Sequence, residues 1–526
     1  MKKWSVVCVV ALSMFILLSP CTPQAASPTA STTKAATLST RAEQPQPGGV
    51  WKILIRNQTA RFGYPPGLDG RDRDFAPPFF NRLIAIGDDG KYKPELALSW
   101  DTSKDGKAIT FKLRQGVKFH DGTDFNAAAA KFNLDKLIPP NPVVIQGIDS
   151  IDIVDTYTIK IKLTAYNSII LYHLASNYAC YMYSPTALQK NGTDWAATHP
   201  VGTGPFMLKD FQPNVSLTYV KNPNYWEKGL PYLDGIEINT VPDPMTTVLA
   251  FKAGQAHAVY AAHTTTAAQL REAGYKLQIA PGNAVALSFD SKNSEYFSKR
   301  QVREAIEYAI DKEAICNGPG EGLVTPMYQT VLSNNPNYNP ACPPRKYDPA
   351  KAKKLLAEAG YPNGFSFKIF LVDALWKDGI TAVQNYLANV GIKMDVTYLS
   401  NAAITPIRVT GQIEKGAASY VSIDALSNSL YVNDYYFRSD SNIYQYMVRP
   451  VGTDKLIAQG KLSRDPAAIT KINQQINKLI YDDVTIVPIW MTNRIAIVDK
   501  SVQNTGWFVA DDASNNQEGT RTWLKK

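Results

Sequence analysis

The chain has 526 residues, 45% of them hydrophobic and 19% charged, with a formal net charge of +9. It is too long for one hydrophobic core and too apolar for a disordered chain, so it is a globular protein of two or three domains. Acidic residues are interspersed throughout and no five basic residues run together, which argues against a nucleic-acid partner.

Lys2 and Lys3 precede Val6–Leu18, 13 residues that are apolar apart from Ser13. That length suits a signal-peptide core and falls short of the ~20 residues that span a bilayer. Export is therefore expected, with 1–20 as signal peptide. Leu18-Ser19-Pro20-Cys21 resembles a lipobox, which makes Cys21 the candidate lipid-bearing residue and a lipid anchor the expected tether. Pro20 departs from that pattern, and cleavage beyond Ala25 is the alternative, giving a free periplasmic protein. Residues 21–47 are rich in Ser, Thr, Ala, Pro and Gln with no apolar period, and read as a disordered tether.

VWKILI at 50–55 reads as a first strand. In FNAAAAKFNLDKL, 125–137, Phe125, Ala128, Ala129 and Phe132 share one side of a helix, with Asp124 placed to cap it. DSIDIVDTYTIKIKL, 149–163, alternates as a hairpin about Asp155-Thr156. QVREAIEYAIDKEAI, 301–315, repeats apolar residues at helical spacing. Asp348 caps a second helix that starts at Pro349 and stops at Gly360. Ile472, Ile476, Leu479 and Ile480 mark a last helix before the strand-like TIVPIW at 485–490. Strands and helices alternate, so the class is α/β with more than one domain. Cys316 and Cys342 flank a loop rich in Gly, Pro and Asn, and in an exported protein they are expected to form a disulfide.

Catalytic signatures are missing from the sequence. Asp101, Ser103, Asp105 and Gly106 match the opening of an EF-hand loop, but Lys112 stands where a carboxylate must close the shell, so a polar turn is expected. Gly318, Gly320 and Gly322 lack the Lys-Ser/Thr of a phosphate loop. HExxH, GxSxG and CxxC do not occur, and His120, His173, His199, His257 and His263 are scattered. No metal or cofactor is expected. These residues by themselves leave enzyme and binder open.

Several stretches, in order, resemble one family. PELALSW (94–100), DGKAITFKLRQGVKFHDGTDF (105–125), VGTGPF (201–206), KNPNYW (221–226) and LPYLDGIEI (230–238) lie in the first half. QVREAIEYAIDKEAI (301–315), YDPAKAKKLLAEAGYPNGFSFKI (347–369) and VPIW (487–490) follow. Together they are similar to the family 5 extracellular solute-binding proteins of ABC importers, which include oligopeptide-, dipeptide- and nickel-binding proteins. The resemblance implies a type II, cluster C periplasmic-binding-protein fold: two α/β lobes joined by two crossing strands, with an extra domain inserted in the first lobe. Carried over by the motifs, lobe one comprises 48–90, 201–284 and 495–526, the extra domain 91–200, and lobe two 285–494. A monomer is implied that closes about a hinge on a small-molecule or peptide ligand and delivers it to an ABC permease in the cytoplasmic membrane. No bond is made or broken. A nickel or metallophore receptor of the same fold and, more remotely, a secreted hydrolase are the alternatives.

The same resemblance points to candidate ligand residues. In peptide-binding relatives, an aspartate in a lobe-two loop pairs with the peptide ammonium. The comparable stretch here is SYVSIDALSNSLYVND, 419–434, whose Asp424 lacks the usual Trp and Asp-Pro neighbours. The loop ARFGYPPGLDGRDRDF, 60–75, offers Tyr64, Arg71 and Arg73 as an aromatic face and a carboxylate fork. NYACYMY, 177–183, adds Tyr178 and Tyr181 for stacking, and Trp376 and Tyr420 complete the set.

Overall fold

The backbone is organised by one eleven-stranded sheet that two structural halves share. The computed structural model describes residues 44–526 apart from 60, 69–73, 88, 138–146, 373–375, 425–427 and 508–518. The expected signal peptide, Cys21, most of the tether, Arg71 and Arg73 lie outside the described residues. The elements below belong to one compact unit, Pro45–Lys526.

In the first half, Val50–Ile55 lies between Gly235–Thr240 and Ala258–Val259 and pairs parallel with both. A strand so placed is buried on both faces, which explains its nearly continuous apolar run. Trp51, Ile53 and Ile55 join the core on one face, and Leu54 joins the core on the other. In the second half, Phe365–Val372 pairs parallel with Ile392–Leu399 and with Ala418–Asp424. Two long strands, Leu277–Phe289 and Ile486–Val498, run through both halves. Leu277–Ala280 pairs with Arg494–Ile497 in the first half, and Asn283–Ser288 pairs with Ile486–Thr492 in the second. Their register slips between Ala280 and Asn283. A Cβ on the intervening Gly282 would stand 2.2 Å from the Thr492 carbonyl oxygen, so only glycine permits this close passage. These are the two crossing strands of a two-lobed fold.

A separate antiparallel sheet orders Ala97–Thr102, Ala108–Leu113, Thr158–Leu163 and Ile148–Asp155 around its own core, which includes Leu83, Phe111, Leu134 and Met182. Buried Asn81 ties this region to lobe one. Its amide donates to Glu95 Oε1 (2.7 Å), while Thr203 Oγ1 and Trp226 Nε1 both donate to its oxygen (3.1 Å each). Arg114 stacks 4.4 Å above the Trp226 ring, half-buried and not on a bare strand edge. Gly202 and Gly204 pass so close to Phe79 and Phe80 that any Cβ would collide with backbone at 2.1–2.5 Å. The shared family signatures thus join the two cores.

Four local expectations need correction. Asn126, not Asp124, caps the helix Ala127–Asp135 by accepting from Ala129 N, because Asp124 is paired with Lys118 (2.6 Å). The stretch 301–315 forms two helices, Arg300–Ala309 and Lys312–Asn317, because Ile310 is extended and Asp311 caps the second. Cys316 and Cys342 are free, each 1% exposed. Their loop is closed without a disulfide: Gln329 donates to the carbonyls of Asn339 and Cys342 and accepts from Asn339 N, while Asn473 and Asn477 hold Asn337. Burial pushes the Cys316 thiol up to about 12 and raises that of Cys342, so both stay protonated and inert. The helix Ala127–Asp135 also buries Ala127, Ala129, Ala130, Asn133 and Leu134 and leaves Ala128 exposed, so its inward face is not the one expected, whereas the Asp348 cap, Pro349 start and left-handed Gly360 stop of Pro349–Glu358 form as read.

Candidate functional site

In open α/β sheets, ligands bind beyond the carboxyl ends of the strands. Beyond the lobe-one strands lie Arg56-Asn57-Gln58-Thr59 and Tyr260-Ala261. Beyond the lobe-two strands lie Trp376 and, at the last position of its own strand, Asp424. Asn283 is in register with both Asp424 and Thr492, which puts Asp424 beside the strand slip where the lobes meet.

A cavity of about 330 Å³ opens beneath the lobe-one strand ends. That is at the small end of ligand-pocket volumes, roughly 300–1,000 Å³. Its walls are aromatic and aliphatic: Trp51 packs on Trp507 (centroids 4.7 Å apart), which also meets Tyr260 (4.8 Å), with Ile53, Ile55 and Tyr219 behind. The Tyr219 hydroxyl donates to Phe75 O (2.9 Å), and that of Tyr260 to Asp74 Oδ1 (3.3 Å). Arg56 and Gln58 stand at the polar end.

A third surface closes between the four-stranded-sheet region and lobe two. Ser168 donates from N to Lys461 O (2.8 Å) and from Oγ to Gly460 O (3.0 Å), and Arg464 donates to Lys104 O (3.0 Å). The Tyr431 ring meets those of Tyr172 and His173 at 5.8 and 5.0 Å. Burial, reinforced by the Lys461 charge, depresses the His173 pKa to about 3, so the imidazole is neutral.

The arrangement has crossing strands, facing strand ends and a sheltered apolar cavity, and the family model for "Bacterial extracellular solute-binding proteins, family 5 Middle" matches residues 91–441. The chain belongs to the family 5 extracellular solute-binding proteins. It is 31% identical over 461 residues to the glutathione-binding protein GsiB of Salmonella typhi, covering 83% of this chain and 87% of that protein. Its fold matches DppA of Helicobacter pylori, solved with the peptide STSA, at TM-score 0.81 and 23% identity, covering 91% and 99% of the two chains. It also matches NikA of Brucella suis, solved with Fe(III)-EDTA, at TM-score 0.76 and 24% identity, covering 90% and 100%. As a family 5 protein it captures a solute outside the membrane and delivers it to an ABC importer.

Within this family 5 fold the residues expected at the ligand divide into three groups. Tyr64 and Tyr178 are partly buried on two neighbouring short turns, Pro65–Gly67 and Tyr178–Cys180. Trp376 caps the helix Lys377–Ala388 and packs edge-on against Trp490 (5.1 Å), so it joins Asp424 at the lobe-two strand ends. Tyr181 and Tyr420 are not available for stacking. Tyr181 is 2% exposed under Phe80 and the Arg82 guanidinium (4.1 Å), and Tyr420 is 4% exposed in the lobe-two core. Tyr420 points inward from the strand Ala418–Asp424, and Tyr181 follows the turn Tyr178–Cys180 into the lobe-one core. The cavity residues Trp51, Arg56, Gln58 and Tyr260 were not anticipated from sequence. The signal is in the alternation of VWKILIRNQT, where one strand face carries Trp51, Ile53 and Ile55 and a polar run follows at once.

Proposed function

We propose that the chain is exported, anchored through Cys21 or released by cleavage beyond Ala25, and acts as a monomer outside the cytoplasmic membrane. There its lobes close over a peptide or similarly sized organic solute, which the closed form presents to the permease without any bond being made or broken. Tyr64, Tyr178, Trp376 and Asp424 meet that ligand, with Arg71 and Arg73 of the same lobe-one loop as Tyr64. The carrying observation is the pair of 13-residue crossing strands, whose register slips beside Gly282 and again between Val285 and Ala286, where one sheet passes from one half to the other as a hinge-closing fold requires. Ligand class is supported by the glutathione-binding relative and by the peptide in the DppA complex. The Fe(III)-EDTA in the NikA complex supports a second reading, in which a metal chelate is the solute.

The test is a melting panel of peptides, glutathione and nickel or iron chelates, with solution scattering on every hit. Tight binding at a hundredfold excess over Kd adds about 2.7 kcal/mol, a shift of a few degrees. A peptide or glutathione shift with compaction and no consumption of the compound is expected. Turnover of the compound, or binding without compaction, would sink the reading.

A further inference from the structure

The lobe-one cavity holds three hydrogen-bonding atoms with nothing to bond. The indole N–H of Trp51, a residue 1% exposed, has no partner, and neither the amide nitrogen nor the amide oxygen of Gln58 has one, although all three atoms are buried. Both residues line this cavity. Buried polar groups in native proteins are almost always paired, so two donors and an acceptor left open around one space mark a site that something else completes. The rest of the lining selects against a wholly polar occupant, because Trp51, Trp507, Ile53 and Ile55 offer aromatic and branched surface. At the polar end Arg56 is in no ion pair among the described residues, while Asp74 is already engaged by the Tyr260 hydroxyl.

We propose that this cavity is a specificity subsite that takes an apolar or aromatic side group of the ligand, with the adjoining amide paired to Gln58 and a carbonyl oxygen accepting from Trp51 Nε1. In an extended peptide the N–H and C=O of one residue point to the same side, which matches the two open ends of the glutamine amide. An apolar group entering a preformed apolar space adds affinity without new ordering of the protein. The ligand class is thus an amide-linked compound bearing an aromatic or branched group, such as a peptide with an apolar residue. This rests on the reading of the chain as a peptide-type binder and narrows it.

Calorimetric titration of the full chain with glycyl-phenylalaninamide, against glycyl-glycinamide, tests the subsite. The phenylalanine probe should bind at least tenfold more tightly. Gln58→Leu and Trp51→Phe should each erase most of that preference, and Ile55→Trp, which fills the space, should abolish it. Ligand-free melting shows whether each variant is folded; Gln58→Leu, at the polar rim, keeps the test open if Trp51→Phe is unstable. Equal affinity for the two probes, binding of neither, or a preference that survives Gln58→Leu and Ile55→Trp overturns the subsite. Scattering separates this from the lobe-closure reading. Compaction by both probes without preference removes the subsite and leaves capture between lobes intact. Preference without compaction keeps the subsite and removes capture.

Discussion

The two lobes differ in where their buried polar groups gather. In lobe two, Glu307 is 1% exposed and accepts from Lys312 (3.0 Å) and Arg345 (2.9 Å), both buried. Lys312 also reaches Met327 O, and Arg345 reaches Tyr481 O. This charge cluster is answered inside the lobe, although Trp376 Nε1, Trp490 Nε1 and Arg449 Nε of the same lobe are buried without partners. In lobe one, Trp51 and Gln58 face a cavity and have none. Lobe two closes its central charge cluster from its own sequence, whereas lobe one gathers open polar atoms around a cavity.

The contrast is broken most severely in lobe two. Glu307→Ala leaves Lys312 and Arg345 as buried cations without their acceptor, and stability should fall by about 3–5 kcal/mol in urea unfolding. Lowering the pH should act on the joins instead. His120 and His173 are buried and neutral, with pKa values depressed to about 4 and about 3 mainly by burial. Their folded values lie below the unfolded value near 6.5, so their contribution is complete above pH 6.5 and is lost as the unfolded chain takes up protons below it. Each should remove about 2 kcal/mol between pH 6.5 and 5. His173→Leu should flatten that slope, and an unchanged slope would acquit His173. Overpacking then compares the lobes directly: Ile369→Phe in the lobe-two core should cost about 1–3 kcal/mol, whereas Ile53→Phe beside the cavity should cost less than about 1 kcal/mol. Equal losses would mean that lobe one is as tightly filled as lobe two. The smallest effect is expected from Ser168→Ala, which removes one hydrogen bond to Gly460 O and should cost about 1 kcal/mol, seen as a slight loss in Tm.

Much of this architecture can be read from local pattern. The apolar run Val50–Ile55, the alternation over 149–163 and the helix start and stop signals of Pro349–Glu358 located these elements, because each is decided by residues a few positions apart. The Asp124 cap failed because Lys118, six residues back across a tight β-bridge, claims the carboxylate, a competition that helix-capping rules do not weigh. The disulfide failed for a similar reason: side-chain amides already close the loop between the cysteines. Site residues were least legible. Tyr181 and Asp424 look alike as polar-edged residues in a strand or turn, yet one is covered by Phe80 and Arg82 and the other stands at the junction of the lobes. Only the fold distinguishes them.

The position of Val50–Ile55 also bears on how the molecule comes into being. This strand is the earliest described element, yet its neighbours are 235–240 and 258–259, and its Trp51 packs on Trp507. A chain that appears N-terminus first, from a ribosome or through a membrane channel, cannot finish lobe one until nearly its last residues have emerged. Lobe two waits almost as long, because its sheet includes Ile486–Thr492. Until residues 235–259 have emerged, the protein therefore carries an unpaired apolar strand, which a chaperone has every opportunity to hold.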